Sequence, residues 1–404
     1  MKSELFSYIN PSIHSSLTSG RLSGKSIAVQ PSFSVRGWPS EAGSVALRGY
    51  VAIEDATVID RVKKEGATII GSTRMDEMGF GLNRDTSGRT LSEGHVPLVF
   101  MTDMMGEARV MASLIGKYAF KPTGGIVSRY GLIGLVPSME CIGVLAHSPE
   151  DIVTVMETIS GFDDCDYSMC DDHMPDFNSI VGVFPKNGDI GVVKECLEMC
   201  DEGELNAFHK GLERIRAHGF YVKEVRFPDS DLLCAIHQII GSVEASSSCG
   251  KYDGVRYGHR TANAKNWNEM YLKTRAEAFG LLLKTYLFQG AYFQFENYAT
   301  FEKACRIRAR MVKNTENLMS EITFLALPTT RRKRHFPATH TIEAVYHDCA
   351  FTLPANLTGL PSVQIPGYVS DGKADLGLQL IGARRSDARL LRLAIHLSHA
   401  AEGG

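Results

Sequence analysis

The stretch VPLVFMTDMMGEARV, residues 96 to 110, passes from an apolar run through a turn into a sequence of helical character. The run does not alternate apolar with polar residues. It therefore predicts a strand buried on both faces, as in an α/β sheet covered by helices. In α/β enzymes the turn after such a strand is where a nucleophile is often exposed. Here that turn presents Glu107, with no hydroxyl or thiol.

The same grammar recurs along the chain. IAV at 27–29 and ATIIG at 67–71 read as buried strands. Between them Asp55 is expected to cap ATVIDRVKKEG, whose Val58, Ile59 and Val62 share a helical face before Gly66 ends it. In HSPEDIVTVMETISG, Ser148 is the candidate N-cap, Pro149 takes the first helical position, and Ile152, Val155, Met156 and Ile159 form the core stripe. GDIGVV resumes the sheet, a helix is expected over 202–218, and FYVKEVRFP returns as a strand. Residues 231–320 are helical in period and rich in aromatics, as in TYLFQGAYFQFENYATF. Strands resume at ITFLALP and LPSVQIPG, and RRSDARLLRLAIHLSHA is a terminal helix for which Ser386 is the expected cap. The expectation is one domain over 1–404: a core at 1–230, a helical insertion or cap at 231–320, and a return to the core at 321–404.

Composition narrows the classes of function. A hydrophobic content of 44% with 22% charged residues is that of a chain with a sizeable core. The formal charge of −3 supplies no general attraction to nucleic acid or anionic membrane, and the basic run RRKRH at 331–335 reads as a solvated loop. Nine cysteines without framework spacing fit reduced thiols, in a cytosol or an organelle matrix such as the mitochondrial one. CDYSMCDDH at 165–173 lacks a second ligand pair, so no metal is expected. The amino-terminal segment has no apolar signal core and no window approaches 18 apolar residues, so neither secretion nor a membrane span is expected.

Several stretches in order carry a family resemblance. They are DATVIDRVKKEGATIIGSTRMDEMGFG (55–81), FKPTGGIVSRYGLIGLVPSMECIGVLAHSPEDIVTVMETISGFD (120–163), IIGSVEASSSCGKYDGVRYG (239–258), LALPTT (325–330), FTLPANLTGLPSVQIPG (351–367) and GLQLIGARRSDARLL (377–391). Together they resemble the amidase signature family, and within it the A-subunit branch of the glutamyl-tRNA(Gln) amidotransferases. The resemblance implies an α/β/α sandwich around a mixed sheet, no cofactor, and partner subunits of the amidotransferase B and C kind. It also implies a mechanism with two serines and a lysine: one serine attacks from a Gly-Gly-Ser turn whose backbone N–H groups form the oxyanion hole, and the second relays protons to the lysine.

The positions that match depart from that pattern. Where the family reads Gly-Lys-Thr-Asn-Met-Asp-Glu, residues 71–77 read Gly-Ser-Thr-Arg-Met-Asp-Glu, placing Ser72 at the lysine. Where it reads Ser-Asp-Thr-Gly-Gly-Ser-Ile-Arg, residues 102–109 place Glu107 at the nucleophile and Met105 at a turn glycine, where a positive φ would be disfavoured. The relay loop and the helix after it are expected to be largely missing from RTLSEGHVP, with Ser92 as the candidate remnant. The family's substrate-carboxylate arginine corresponds to Thr285 and Tyr286, and its ammonium-binding aspartate to Cys349, with Asp348 adjacent; Tyr257 keeps a substrate-contacting tyrosine. Asp103 and Arg109 are expected to pair across the turn, and Asp76 and Glu77 to hold local hydrogen bonds.

These departures lead to the expectation of a catalytically inactive amidase-fold protein serving as scaffold or binding component of a larger complex. The alternative is a working glutamine amidohydrolase or amidotransferase of the A-subunit kind, transamidating Glu-tRNA(Gln) with atypical residues; Cys141 and Cys349 are its candidate thiols. A third reading is a sensor that keeps its cleft, lined by Tyr257 and Glu107, without turnover.

Overall fold

A computed structural model describes residues 4–12, 19–169, 174–177, 188–331, 341–367, 369–370, 373–374 and 377–402. Most of the basic run, from 332 onward, and the 170–173 half of CDYSMCDDH lie outside these residues.

The strands of the main sheet are β1 (Phe6–Ile9), β2 (Ser26–Val29), β3 (Thr68–Thr73), β4 (Leu98–Asp103), β5 (Tyr118–Lys121) and β6 (Cys141–Ala146). They continue with β7 (Asp189–Val193), β8 (Tyr221–Val225), β9 (Phe324–Pro328) and β10 (Ser362–Ile365). A separate ribbon, β11 (Val369–Ser370) with β12 (Lys373–Ala374), precedes β13 (Leu378–Gly382). The 11-stranded sheet runs β1-β3-β2-β4-β6-β5-β10-β13-β9-β7-β8. Parallel pairing joins β3, β2 and β4 and again β9, β7 and β8, while the strands between are antiparallel, so the sheet is mixed, as the family resemblance implies.

The apolar run before the Glu107 turn is β4, and all six of its residues are buried. Successive side chains point to opposite faces, so Val99 and Met101 enter one core while Leu98 and Phe100 enter the other. Helices α1 (Thr57–Lys64), α4 (Pro149–Ile159), α6 (Glu202–Ala217) and α13 (Asp387–Glu402) cover the face of Phe100. The face of Met101 carries α3 (Glu107–Ile115) and the helices α7 (Leu233–Ser248), α9 (Leu281–Ala291) and α10 (Tyr298–Glu321), with Ile236, Ile240 and Leu283 in its core. The remaining helices are α2 (Ser87–Ser92), α5 (Lys194–Leu197), α8 (Trp267–Ala278), α11 (Ile342–Cys349) and α12 (Leu353–Thr358).

Local expectations are met at α4, where the Ser148 hydroxyl accepts from Asp151 N and the four stripe residues are buried. Two caps differ. Helix α1 starts at Ala56 without a side-chain cap, because Asp55 instead accepts from Arg36 N and pairs with Lys63 Nζ at 2.8 Å. At α13 the Ser386 hydroxyl has no hydrogen-bond partner among the described residues, and Asp387 is turned inward to accept from Thr123 N and Oγ1. RTLSEGHVP also holds more structure than expected, since α2 ends within it.

Helix α6 carries a full capping box: Asp201 accepts from Glu204 N at 2.9 Å, and Glu204 accepts from Asp201 N at 2.8 Å. Asp201→Ala is expected to lower stability by about 1 kcal/mol. Equilibrium denaturation of both proteins measures this, and an unchanged midpoint would show that α6 is held by packing alone.

Candidate functional site at the Glu107 turn

The site begins where β4 ends. Met104, Met105 and Gly106 form the turn, and Gly106 is the N-cap of α3 with φ 114°. A side chain there would be strained by that φ, and its Cβ would overlap Thr352 Oγ1 at 2.0 Å. The positive φ thus falls on the retained glycine. Met105 does not share it, so the expected conflict at Met105 does not arise.

The three N–H groups of the turn all point at one atom. Met104 N, Met105 N and Gly106 N donate to Glu107 Oε2 at 2.8, 2.8 and 3.1 Å. The carboxyl group folds back over the N-terminus of its own helix, where the backbone N–H groups await an acceptor oxygen. These are the turn's donors that the family resemblance assigns to an oxyanion. Here a side chain already occupies them.

Glu107 is 1% exposed, and its other oxygen, Oε1, has no hydrogen-bond partner among the described residues. Burial, reinforced by the nearby Asp103 charge, raises its pKa to about 8 against the pull of the three N–H groups. Asp103 goes the other way. Burial disfavours its charge, but Arg109 and Asn356 outweigh that and hold its pKa below the ordinary value.

Arg109 is completely buried and organises the base of the turn. Its Nη2 lies 3.0 Å from Asp103 Oδ1 and also donates to Asn356 Oδ1, while Nη1 donates to Gln379 Oε1 at 3.0 Å and to Thr352 O at 3.2 Å. Asn356 Nδ2 in turn donates to the main-chain oxygens of Asp103 and Met139. The expected Asp103–Arg109 pair is present, and it is the centre of a larger network that the sequence pattern did not reveal.

Among the described residues the space beside Glu107 is small. A cavity of about 10 Å³ remains, lined by Gly81, Leu82, Asn83, Glu107, Val345, Asp348 and Cys349, and this is room for about one water. Tyr286 does not line it: its ring is fully buried, stacks on Phe80 at 4.4 Å, and its hydroxyl meets Tyr346 Oη at 2.9 Å. Tyr346 Oη meets His237 Nδ1 at 2.9 Å, and His237 Nε2 meets Met104 O at 3.0 Å. Burial lowers the His237 pKa to about 4, so the ring is neutral at pH 7 and contributes no cation. This relay from α9 through α11 and α7 to the turn fills the region with aromatic side chains. No sequence motif announced it, though His237 and Tyr346 are the kind of polar groups that need a partner when buried.

The other expected residues are dispersed. Ser72 is buried on β3, opposite Tyr8 of β1. Next to it Thr73 Oγ1 meets Ser87 Oγ at 3.1 Å, a hydroxyl pair with no lysine in the contact. Ser92 is exposed at the end of α2, where among the described residues its hydroxyl reaches only Arg89 O, so it is not placed there as a relay. Thr285 is exposed and donates to Leu281 O. Cys349 is 1% exposed, and burial followed by the Glu107 charge pushes its pKa well up, which keeps it a thiol. Asp348 lines the small cavity, with its main-chain oxygen taken by Thr330 Oγ1. Tyr257 packs half-buried against Tyr50 and Tyr252 and does not line this cavity, so among the described residues it does not share with Glu107 the cleft expected of them. Asp76 accepts from Arg84 N, and Glu77 from Ser44 Oγ and Gly280 N, the local roles expected of them.

Among the described residues one grouping could hold a metal: Asp163, Asp164 and Cys165, at the surface. Asp163 is already bonded there by Thr57, Ser128 and Cys165 N, and nothing links the group to the turn. No described helix is long and apolar enough to cross a membrane.

Known proteins share this framework. The family model described as Amidase matches residues 8–92 and 87–391. The A subunit of the glutamyl-tRNA(Gln) amidotransferase of Fusobacterium nucleatum is 31% identical over 401 residues, covering 93% of this chain and 82% of its own length. The crystal structure of the corresponding protein from Thermotoga maritima superposes with a TM-score of 0.79 at 24% identity, covering 97% of this chain and 86% of that one. A 6-aminohexanoate cyclic dimer hydrolase superposes at 0.78 with 18% identity, over 95% and 86%. These two structures share the fold.

Proposed function

Because the chain belongs to the amidase family, we propose that it serves as a scaffold or binding component of the amidotransferase A-subunit kind, one whose own Glu107 turn does not cleave amides. One observation carries this reading: Glu107 Oε2 takes all three N–H donors of the turn at 2.8–3.1 Å. An oxyanion hole works because its donors await a charge that develops only during reaction. Filled by a resident carboxyl, these donors stabilise the resting protein. A carboxylate is also a poor nucleophile toward an unactivated amide, and a cavity of about 10 Å³ admits no glutamine side chain. The partners in this reading are protein subunits of the amidotransferase B and C kind, in the cytoplasm or an organelle matrix.

A second reading is a functional glutamine amidohydrolase or amidotransferase of the A-subunit kind. The comparisons favour it over the first, since the similarity to the A subunit of a glutamyl-tRNA(Gln) amidotransferase extends over 93% of the chain. The site geometry favours the first. Ammonia release from glutamine and asparagine, by the purified chain and by Glu107→Gln and Cys349→Ala, separates them. The scaffold reading expects no release above the blank for any of the three. Release by the native chain that disappears in either variant would establish the second reading.

A further inference from the structure

A second cavity, of about 560 Å³, opens where the turn before β6 meets α7, α10 and the end of α12. Cys141, the first residue of β6, is on its wall and 9% exposed. Behind it is a completely buried lysine: Lys121 Nζ lies 3.7 Å from Cys141 Sγ and, among the described residues, is otherwise bonded only to Pro122 O, at 2.8 Å. The thiolate is the reactive form of cysteine, and an ammonium at this range is placed to attract its charge.

The rest of the wall describes what would approach. Arg129 and Arg384 both line the cavity, and neither guanidinium has a hydrogen-bonded acceptor among the described residues. Arg308 is already committed to Ser138 and Leu357 O. Glu140 lines the cavity at 4% exposure, its Oε1 has no hydrogen-bond partner among the described residues, and burial raises its pKa to about 7, so it can offer a proton to a ligand oxygen. The wall also carries the apolar Phe301 and Val312, and Glu244, whose carboxylate accepts from Ser138 N.

We propose that this cavity is a thiol-modification site for small anionic electrophiles, in which Cys141 is the acceptor, Lys121 supports its charge, and Arg129 and Arg384 hold the anion. The step forms a sulfur–carbon bond as the bond from carbon to its leaving group breaks. The leaving group departs with the bonding pair, and the thiol proton passes to solvent. No oxidant or reductant is required, and the Glu107 turn takes no part.

Iodoacetate and iodoacetamide are the probes, since they share a reaction and differ in charge. The folded full-length chain is treated with each, and labelling of every cysteine is followed by peptide mass spectrometry, with a neutral small thiol as reference. Charged walls raise the local concentration of an opposite charge by about tenfold or more, so the iodoacetate-to-iodoacetamide ratio at Cys141 should exceed the reference by about that factor. Arg384→Gln, at an exposed position, should bring the ratio down toward the reference with no change in melting temperature. Cys141 left unlabelled by both reagents while exposed Cys165 reacts would overturn the proposal. So would labelling confined to Cys305 on the same wall, or an unchanged ratio in Arg384→Gln.

Discussion

Arg109→Met is expected to cost about 3–5 kcal/mol of stability, the loss typical of breaking a buried ion pair from one side. The side chain and its partner Asp103 are both fully buried, so the variant leaves an uncompensated carboxylate where water cannot reach it. It also strands acceptors on Gln379, Asn356 and Thr352, each of which loses its charged donor. The network ties segments distant in sequence to the end of β4, so cooperative unfolding should shift to markedly lower denaturant. The double variant Asp103→Asn with Arg109→Met removes the orphan charge and should recover part of the loss. Equilibrium denaturation at pH 7 reads both. A single-variant loss below about 1 kcal/mol would mean that the network is not an integral support of the turn.

Glu107→Gln is expected to stabilise the protein above pH 8 and to weaken it by about 1 kcal/mol at pH 5, where the carboxyl is still protonated and only the cost of the unpartnered amide nitrogen remains. The sign follows from the proton count. With a folded pKa of about 8, above the ordinary 4.5, the folded state holds a proton that the unfolded chain has released across that interval. The contribution of this group is complete below about pH 4.5 and is lost as pH rises through about 8. Glutamine never ionises, and its carbonyl oxygen can accept from the same three N–H groups. At about 1.4 kcal/mol for each tenfold change, the upper limit is about 5 kcal/mol. The amide nitrogen would take the place of Oε1, which has no partner among the described residues, at a cost of about 1–3 kcal/mol, so a net gain of about 2 kcal/mol is expected. Asp85 and Glu140, whose pKa values burial raises to about 6 and about 7, add slope of the same sign in both proteins. Midpoints at pH 5, 7 and 8.5 test the difference between the two. A variant weaker than the native chain at pH 8.5 would show that the carboxylate is comfortably ionised in its nest.

Much of the fold was legible because it rests on local pattern. The unbroken apolar run of β4, the Ser148-Pro149 start of α4 and the stripe Ile152, Val155, Met156 and Ile159 each carry their own signal within a dozen residues. The caps that failed did so for a tertiary reason. Asp55 is held by Arg36 N and by Lys63 near the far end of α1, and Ser386 Oγ has no hydrogen-bond partner among the described residues while Asp387 beside it accepts from Thr123.

At the site the division is sharper. Which side chains the chain carries is a property of the sequence alone, so Ser72 and Glu107, at the positions where the family resemblance implies a lysine and a serine, could be read directly. What Glu107 does there could not. Its bonds depend on the φ of 114° at Gly106, which aims three amides at one oxygen, and on Thr352 closing over that glycine from 246 residues away in the chain. The small cavity beside it likewise needs Gly81, Val345 and Cys349 to meet it from separate segments. By itself, then, the sequence determined the framework and the identity of the groups at the turn. That the turn's donors are filled, and that the cavity among the described residues is small, came from the folded chain, because hydrogen-bond direction and free volume are set by backbone angles and packing between residues far apart in the sequence.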